Sequence, residues 1–234
     1  HPVAVQIPIG AESEFKGLID LVTMKAVYYK PDDTGSDFWE EDIPESLRES
    51  AQQWRREMIE AAAEFDDELM ELYIHDKPAS EDVIRRGIRK GTVANKINPV
   101  FVAAALKNIG IRRVLDAVID YLPSPLDKPA VTGLIPSDHN KKIDLVCDPD
   151  KSLVALAFKI TSDKHGDLYF LRIYQGTLHK GMRVFNPIRN IKENVTRLFH
   201  MHANNRLIID SASAGDIVAA LGLKDSLTGD TICD

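Results

Sequence analysis

The spacing of hydrophobic residues along this chain changes twice, and each change marks a different kind of structure. Apolar and polar residues alternate over residues 3–9, and branched and aromatic residues dominate residues 17–22 and 24–29. A period of two is typical of half-buried strands, and a loop-forming cluster at 31–35 ends the last run. The first stretch therefore predicts a small sheet.

From Pro44 onward the period becomes helical. Eight apolar residues recur at steps of three and four: Leu47, Ala51, Trp54, Met58, Ala62, Phe65, Leu69 and Leu72. This spacing predicts one amphipathic helix, bent at most, with Pro44 in its first turn. Ser80 is a predicted N-cap of a second helix, with Glu81 and Asp82 beside the positive end of its dipole.

Two further elements complete the first half. The apolar run at 97–105 predicts a buried strand, and a loop at 106–110 follows it. The next helix is predicted over 111–122, and prolines at 123 and 125 prevent its continuation. One face of this helix is apolar: Ile111, Val114, Leu115, Val118, Ile119 and Leu122.

The second half has a strand-like pattern nearly throughout. We predict strands over 153–160 and 168–174 around a turn at 164–167, a hairpin over 176–186, and strands over 195–201, 217–221 and 231–232. Many short strands joined by tight turns favour a small closed barrel, which leaves no exposed sheet edge. The predicted fold class is α+β with two domains, 1–128 and 129–234, joined by a proline-rich linker.

Composition narrows the function classes. The chain of 234 residues is 44% hydrophobic and contains no run long enough to span a membrane, and its first residues lack the features of a secretion signal. We therefore expect a cytoplasmic protein that binds no membrane. The two cysteines, Cys147 and Cys233, are isolated in sequence and predict reduced, packed thiols rather than a disulfide or zinc site.

Charge is distributed unevenly. Residues 1–128 hold 24 acidic and 16 basic side chains, whereas residues 129–234 hold 12 and 13. A stripe of carboxylates is predicted on the long helix, where Glu60, Glu64, Asp67 and Glu71 recur at steps of four, three and four, with Glu68 beside them. Such a surface favours a basic protein partner and disfavours DNA, although an acidic helix face is often only solvated.

Several segments resemble a known family. They are HMHANNR, AGDIVAALGLKD and TGDTICD near the end, GTLHKGMRVFN before them, LDAVIDYLPSP in the middle and the first 29 residues. In this order they resemble elongation factor G, the ribosomal translocase, over essentially the whole chain. The resemblance implies a G′ subdomain at about 1–96, the last strand and helix of the G domain up to 128, and a domain II barrel at 129–234.

The resemblance also implies a GTPase whose nucleotide-binding motifs lie outside this chain. No P-loop of the form GxxxxGK[ST] occurs, and neither NKIN at 95–98 nor NKKID at 140–144 fits the guanine-reading NKxD pattern. We therefore expect a fragment that begins after that motif and is inactive alone. GTP or GDP with magnesium is expected as the cofactor of the complete protein, with no tight binding to this part.

One element of a guanine site is implied within the chain. The family motif GSA, an apolar residue and Lys corresponds to Ala103, Ala104, Ala105, Leu106 and Lys107. Ala103 and Ala104 depart from the motif, which suggests a divergent paralogue, whereas the Ala105 amide remains. The rim of the guanine site is therefore expected at Ala104, Ala105, Leu106 and Lys107, and the alternative is an ordinary loop between strand and helix.

The resemblance further implies two ribosomal partners. The acidic helix would contact the stalk protein of the large subunit, and the barrel would face small-subunit ribosomal RNA. Candidate phosphate contacts are the basic residues of the barrel: Lys164, Arg172, Lys180, Arg183, Arg189, Lys192 and Arg197. Another translational GTPase, of the release factor three or ribosomal protection type, and a free-standing interaction module are the alternatives.

Catalytic and metal sites are not expected. His200 and His202 face the same side of a strand, as zinc ligands can, but no third ligand lies nearby in sequence, so packing or RNA contact is favoured. No nucleophile motif such as GxSxG occurs.

Overall fold

The computed structural model describes residues 1–30, 37–136, 138–163, 166–203 and 205–234, without the side chains of 139 and 163. The predicted loop cluster at 31–35 and the candidate Lys164 lie outside these ranges. The chain divides into two compact units, His1–Pro123 and Ser124–Asp234. The predicted domain boundary at Lys128 lies a few residues after this division.

Unit 1 contains an antiparallel sheet of four strands in sequential order, β2 to β5. A separate parallel pair joins β1 to β6, with Val3 opposite Pro99. The strands of unit 1 are β1 (Pro2–Ala4), β2 (Gln6–Ile9), β3 (Gly17–Asp20), β4 (Lys25–Tyr29), β5 (Phe38–Glu41) and β6 (Asn98–Val100). The predicted strand at 3–9 is thus divided at Val5 between two sheets, and the sequence pattern does not predict β5.

The described residues of unit 1 also form the helices α1 (Glu45–Ala63), α2 (Asp67–Ile74), α3 (Glu81–Val93) and α4 (Ile111–Tyr121). The prediction of one helix from Pro44 is wrong, because Asp66 starts a new helix by accepting the Leu69 amide at 3.1 Å. Pro44 is the N-cap residue of α1 rather than part of its first turn. Ser80 caps α3 as predicted, accepting the Val83 amide at 3.4 Å.

The core of unit 1 lies between α1, α2, α3 and the strands. Its largest fully buried side chains include Met58, Leu69, Ile84, Ile88 and Ile97. The predicted buried strand at 97–105 is wrong beyond its first residues, since β6 ends at Val100 and Val100 is exposed.

Helix α4 begins at the predicted residue and ends at Tyr121, one residue before the predicted end, but it faces the other way. Ala117 and Tyr121 are buried, whereas most of the predicted apolar face is exposed: Leu115, Val118, Ile119 and Leu122. Burial raises the pKa of Tyr121 to about 12. Unit 1 therefore presents an apolar helix face that its described residues do not cover.

Unit 2 is an antiparallel barrel-like unit. Eight strands are hydrogen-bonded in the order β13-β12-β18-β9-β10-β17-β14-β15, and β7–β8 and β11–β16 form two further pairs. The strands are β7 (Val131–Ile135), β8 (Asp138–Leu145), β9 (Val154–Asp163), β10 (Gly166–Gln175), β11 (Thr177–His179), β12 (Arg183–Asn186), β13 (Ile191–Asn194), β14 (Arg197–His202), β15 (Asn205–Ile209), β16 (Ser211–Ser213), β17 (Ile217–Leu221) and β18 (Thr231–Cys233). The α+β fold class with a barrel-like second part is confirmed.

Alternation along β10 builds the interior of unit 2. Tyr169, Leu171 and Ile173 are buried in the main core, while Arg172 and Tyr174, at the alternate positions, lie on the other face. The chain turns after this strand at Gly176, whose φ is +77°. A Cβ there would lie 2.6 Å from the Leu153 Cα, so glycine is required at this close approach.

The predicted hairpin at 176–186 is wrong. Strand β11 pairs with β16, with Leu178 opposite Ala212, and β12 pairs with β13 and β18. Gly181, with φ at +81°, turns the chain between two strands that have different partners. The predicted strands at 217–221 and 231–232 are present as β17 and β18.

Candidate functional site

The predicted guanine rim forms a small closed loop after β6. Ala104 and Ile109 pair across it, because the Ala104 amide donates to the Ile109 carbonyl at 2.9 Å and the reverse bond is 3.2 Å. Between them lies one 3-10 turn, Ala105–Lys107, which ends at Asn108 with φ at +55°. The loop therefore has a defined backbone geometry.

The chemistry of this loop is that of exposed amides. Ala105, Leu106 and Lys107 are exposed, and Leu106 is 99% exposed. The first amides of a 3-10 turn have no acceptor inside the turn, so those of Ala105 and Leu106 can donate to a ligand. The structure brings Ala104 to Lys107 together on one loop, and their contact with guanine stays a prediction.

The acidic residues do not form one stripe along one helix. Glu60 lies in α1 and Glu64 is its C-cap residue, whereas Asp67, Glu68 and Glu71 belong to α2. Glu68 is also compensated, because Arg86 of α3 lies 2.6 Å from its carboxylate. The expectation of a continuous, uncompensated stripe is therefore wrong, although all five residues remain in the same region of the chain.

Asp66, which the sequence pattern does not single out, organises this region. Its buried carboxylate accepts from the Arg86 Nε at 2.7 Å and from the Lys90 Nζ at 2.7 Å, besides capping α2. The hydrogen bond from Arg86 is the main reason that the pKa of Asp66 lies well below its usual range. The sequence does contain a signal for a helix start at Asp66, because Asp is a favoured N-cap residue and acidic residues follow it.

A cleft of about 560 Å³ opens beside the end of α1. Its charged lining consists of Glu57, Glu60, Glu64 and Lys96, and Phe65 and Ile97 contribute apolar surface. The carboxylates outnumber the lysine, so the cleft suits a basic, partly apolar side chain. Glu57 is not part of the predicted stripe because it lies one turn before Glu60.

The basic residues predicted to contact phosphate differ in their surroundings and in their ion-pair partners. Lys180 pairs with Asp210 at 3.3 Å, and Arg189 lies 2.6 Å from the buried carboxylate of Asp230. Arg172 lies on the outer face of β10 in an apolar groove. These three positions are not equivalent, and their contact with RNA stays a prediction.

Two other predicted contacts lie together. Arg183 on β12 pairs in register with Asn194, and Lys192 on β13 with Phe185, so both cations are on the outer face of one hairpin. Neither forms an ion pair with a described carboxylate. Arg197 is exposed at the start of β14, opposite Leu221.

Among the described residues, the histidines and cysteines do not form a ligand cluster. His200 and His202 lie on β14 opposite Leu207 and Asn205, and the described residues contain no group of three potential metal ligands. Cys147 and Cys233 are both free thiols, and burial raises the pKa of Cys233.

Comparison with known proteins assigns part of the barrel. Residues 166–233 match the family model described as elongation factor Tu domain 2. These residues are similar to a domain of translation factors. This match covers β10 to β18.

The whole chain also has a structural counterpart. A crystal structure of a protein from Thermus thermophilus superposes with a TM-score of 0.76 at 22% sequence identity. The alignment covers 100% of this chain and 32% of that one, so the chain spans about a third of the length of that protein. At this identity the likeness shows the fold, and it includes both units.

No helix in the described part of the chain is long and apolar enough to cross a membrane.

Proposed function

We propose that this chain is part of a translational GTPase of the elongation factor G type, which moves the ribosome along messenger RNA in the cytoplasm. The observation that carries the proposal is the translation-factor barrel at 166–233, preceded by a unit whose sequence resembles the G′ subdomain and the end of a G domain. The barrel alone is shared by several classes of translation factor, so the preceding unit supports the choice among them.

Unit 1 supports the idea of an incomplete G domain. Strands β1 and β6 form an isolated parallel pair, and parallel sheets are normally covered on both faces. The apolar face of α4 is exposed as well, with Ile119 at 77%. We infer that further strands and helices of the G domain cover both surfaces in the complete protein.

The most direct test is the coding sequence upstream of His1. We expect a P-loop, GxxxxGK[ST], followed by an NKxD motif shortly before this chain. A start codon at this position with neither motif upstream would favour the free-standing interaction module. A GTPase upstream whose downstream domains match release factor three or a ribosomal protection protein would favour that alternative.

We propose GTP or GDP with magnesium as the cofactor of the complete protein, with Ala104 to Lys107 at the rim of the guanine site. Phosphate contacts dominate binding in P-loop proteins, and this chain has no P-loop. We therefore expect the isolated chain to bind GTP with a Kd of about 1 mM or weaker, measured by calorimetry. Micromolar binding would contradict the assignment of the loop as a rim only.

The Ala104 departure gives a second test in the complete protein. Ala104 forms its bridge with Ile109 through backbone atoms alone, so Ala104→Ser leaves this pairing in place. We expect equal or tighter nucleotide binding for Ala104→Ser. Clear weakening would mean that the loop contacts the nucleotide in a different way.

The proposed partners are the stalk protein of the large ribosomal subunit and small-subunit ribosomal RNA. The carboxylate-lined cleft at Glu57, Glu60 and Glu64 supports the first, since its charge and apolar surface suit a basic protein surface. Arg183 and Lys192, which share one exposed hairpin and have no described carboxylate as an ion-pair partner, support the second. Charge substitutions at the two places should therefore affect different partners.

A further inference from the structure

An apolar groove of about 850 Å³ lies within unit 2. One wall is the outer face of the sheet, with Leu156 and Phe158 on β9, Arg172 on β10 and Ile217 on β17. The other wall consists of the linker after Ser124 and the segment that ends β8, which includes Cys147. Grooves of this volume are typical of sites for small organic ligands.

Hydrogen bonds hold one wall of the groove in place. The buried Gln175 side chain accepts from the Val146 amide at 3.3 Å and donates to the Ser152 carbonyl at 3.1 Å. The Gly176 amide donates to the Asp148 carbonyl at 2.9 Å. These bonds fix the segment at 146–152 against the barrel, so the wall is formed in advance of any ligand.

The linker wall is fixed in a similar way. At Gly215, where φ is +99°, a Cβ would lie 3.2 Å from Pro125 and 3.4 Å from the Cys147 Sγ. Ser124 and Asp127 form a capping box around the 3-10 turn Pro125–Asp127. Both walls therefore meet closely at Gly215, and the groove opens between them.

The charged side chains that line the groove are cationic. Its lining includes Lys128 and Arg172 and no carboxylate among the described residues. Arg172 is half-buried between Leu156 and Ile217 on the neighbouring strands, and it contacts the Tyr174 ring at 6.0 Å without an ion pair to any described carboxylate. A partly desolvated cation without a counter-ion favours an anionic ligand.

We propose that this groove binds a small organic anion with an apolar body, such as an aromatic carboxylate. The carboxylate lies against the Arg172 guanidinium, with Lys128 contributing at the rim. The apolar body packs on Leu156, Phe158 and Ile217. Nothing in the match to elongation factor Tu domain 2 assigns this site, and the proposal is independent of the GTPase assignment.

The test uses two probes that share one apolar body. 1-Naphthaleneacetate and the neutral 1-naphthaleneacetamide are titrated into the 234-residue chain by calorimetry and ligand-observed NMR. We expect the acid to bind at least about tenfold more tightly than the amide, the discrimination given by one charge-assisted pair. Equal affinities, or no binding of the acid at about 5 mM, a limit of roughly 3 kcal/mol, overturn the proposal.

Substitutions connect the preference to the groove. Arg172→Gln is expected to remove the difference in affinity between the two probes, whereas Arg172→Lys should retain most of it. The matched control is Arg197→Gln on β14, which should leave the difference unchanged. An unchanged preference in Arg172→Gln overturns the proposal, with folding verified by circular dichroism. Lys128 is exposed on the linker, so its charge is partly screened by solvent. Lys128→Gln is therefore expected to weaken binding of the acid about two- to threefold without affecting the fold.

The Cys147 thiol gives a readout that does not depend on these variants. In a Cys233→Ser background, the acid should slow alkylation of Cys147 by N-ethylmaleimide, and the amide at equal concentration should not. Unaltered alkylation at saturating acid would place the bound probe outside the groove and overturn the proposal.

Discussion

Asp66 is the residue on which the helical part of unit 1 depends most visibly. Its side chain is almost fully buried, yet it caps α2 and pairs with Arg86 and Lys90 of α3. One carboxylate thus sets where α2 begins and holds α2 beside α3. Buried charges are stable only when paired in this way.

We predict that Asp66→Asn lowers the free energy of unfolding of unit 1 by about 2 kcal/mol, because hydrogen bonds to charged groups are worth roughly 1.5–3 kcal/mol. Both tryptophans of the chain, Trp39 and Trp54, lie in unit 1, so urea unfolding followed by their fluorescence reports on this unit. Glu68→Gln is the matched control: its exposed pairing with Arg86 should contribute under about 1 kcal/mol. Equal effects of the two substitutions would contradict the role given to Asp66.

The same residue predicts an acid dependence. The pKa of Asp66 is lowered in the folded state from an ordinary value of 3.8, chiefly by Arg86. The stabilisation is therefore complete above the unfolded pKa and is lost as pH falls below about 4. We expect the free energy of unfolding to fall more steeply below about pH 4 in the wild type than in Asp66→Asn, and parallel curves would refute this.

The two helix caps Ser80 and Asp66 show which helix starts a sequence pattern predicts. The sequence predicts Ser80 as a cap because a polar residue precedes a clear helical period with acidic residues in its first turn. It does not predict Asp66, because the apolar steps from Ala62 to Phe65 to Leu69 continue the helical period across the break. The interruption is stabilised by Arg86 of α3, which lies 20 residues away in sequence and cannot be inferred from a local period.

At the scale of elements, α3 packs through glycines. A Cβ at Gly87 would lie 2.8 Å from Leu69 Cδ2 and 3.0 Å from the Ala62 carbonyl oxygen. Helix α3 therefore approaches α1 and α2 more closely than alanine permits. The helix gives up the higher helix propensity of alanine, worth about 1 kcal/mol, for this approach.

We predict that Gly87→Ala lowers the free energy of unfolding of unit 1 by about 1–2 kcal/mol, since overpacking outweighs the gain in helix propensity. Tryptophan fluorescence in urea is the measurement. Gln52→Ala on the exposed side of α1 is the control and should change the value by less than about 0.5 kcal/mol. A stabilised Gly87→Ala variant would mean that Leu69 and the end of α1 move aside at little cost.

The strands of unit 2 illustrate what a local pattern cannot supply. The turn at Lys180 and Gly181 favours a hairpin, but the partners of β11 and β12 are set by the sheet order. Likewise, the motif locates the loop at 103–107, whereas its bridge to Ile109 is visible only in the structure. Patterns locate the elements, and non-local pairing decides their neighbours.

The hairpin β12–β13 exposes two cations, Arg183 and Lys192, that can be tested as RNA contacts. If Arg183 and Lys192 contact RNA phosphates, Arg183→Gln with Lys192→Gln should make the log–log salt slope of binding to small-subunit ribosomal RNA less negative by about 1.4–1.8. The charge-matched control is Lys141→Gln with Lys142→Gln on β8, which should leave the slope unchanged. Identical slopes in wild type and the first variant would remove this hairpin from the RNA-binding surface.

At the scale of the whole molecule, the two units have different chemical characters. The negative charge of the chain resides in its first half, where Glu57, Glu60 and Glu64 line a cleft beside Phe65. The barrel is nearly neutral, and two of its exposed cations, Arg183 and Lys192, share one hairpin. The sequence likewise predicts the apolar face of α4, but its pattern cannot show that the other described residues of unit 1 leave this face exposed.

The carboxylate cleft leads to the prediction for the stalk protein. Complementary charge raises encounter rates more than it deepens affinity, and salt screens this effect. Lysine at position 64 would also sit at the C-terminal end of α1, where a cation interacts favourably with the helix dipole. Charge reversal here should therefore alter association without weakening the helix.

We predict that Glu60→Lys with Glu64→Lys slows association of the chain with the stalk protein's C-terminal domain several-fold at low salt. The difference should shrink near about 0.5 M salt, where the Debye length is only about 4 Å. Stopped-flow association is the measurement, with circular dichroism to verify the fold. The control, Glu12→Lys with Glu14→Lys, makes the same change of charge on an exposed turn of unit 1 and tests whether net charge alone suffices. Equal slowing in both variants would contradict a specific contact at the cleft, and no slowing in either would show that this acidic face is only solvated.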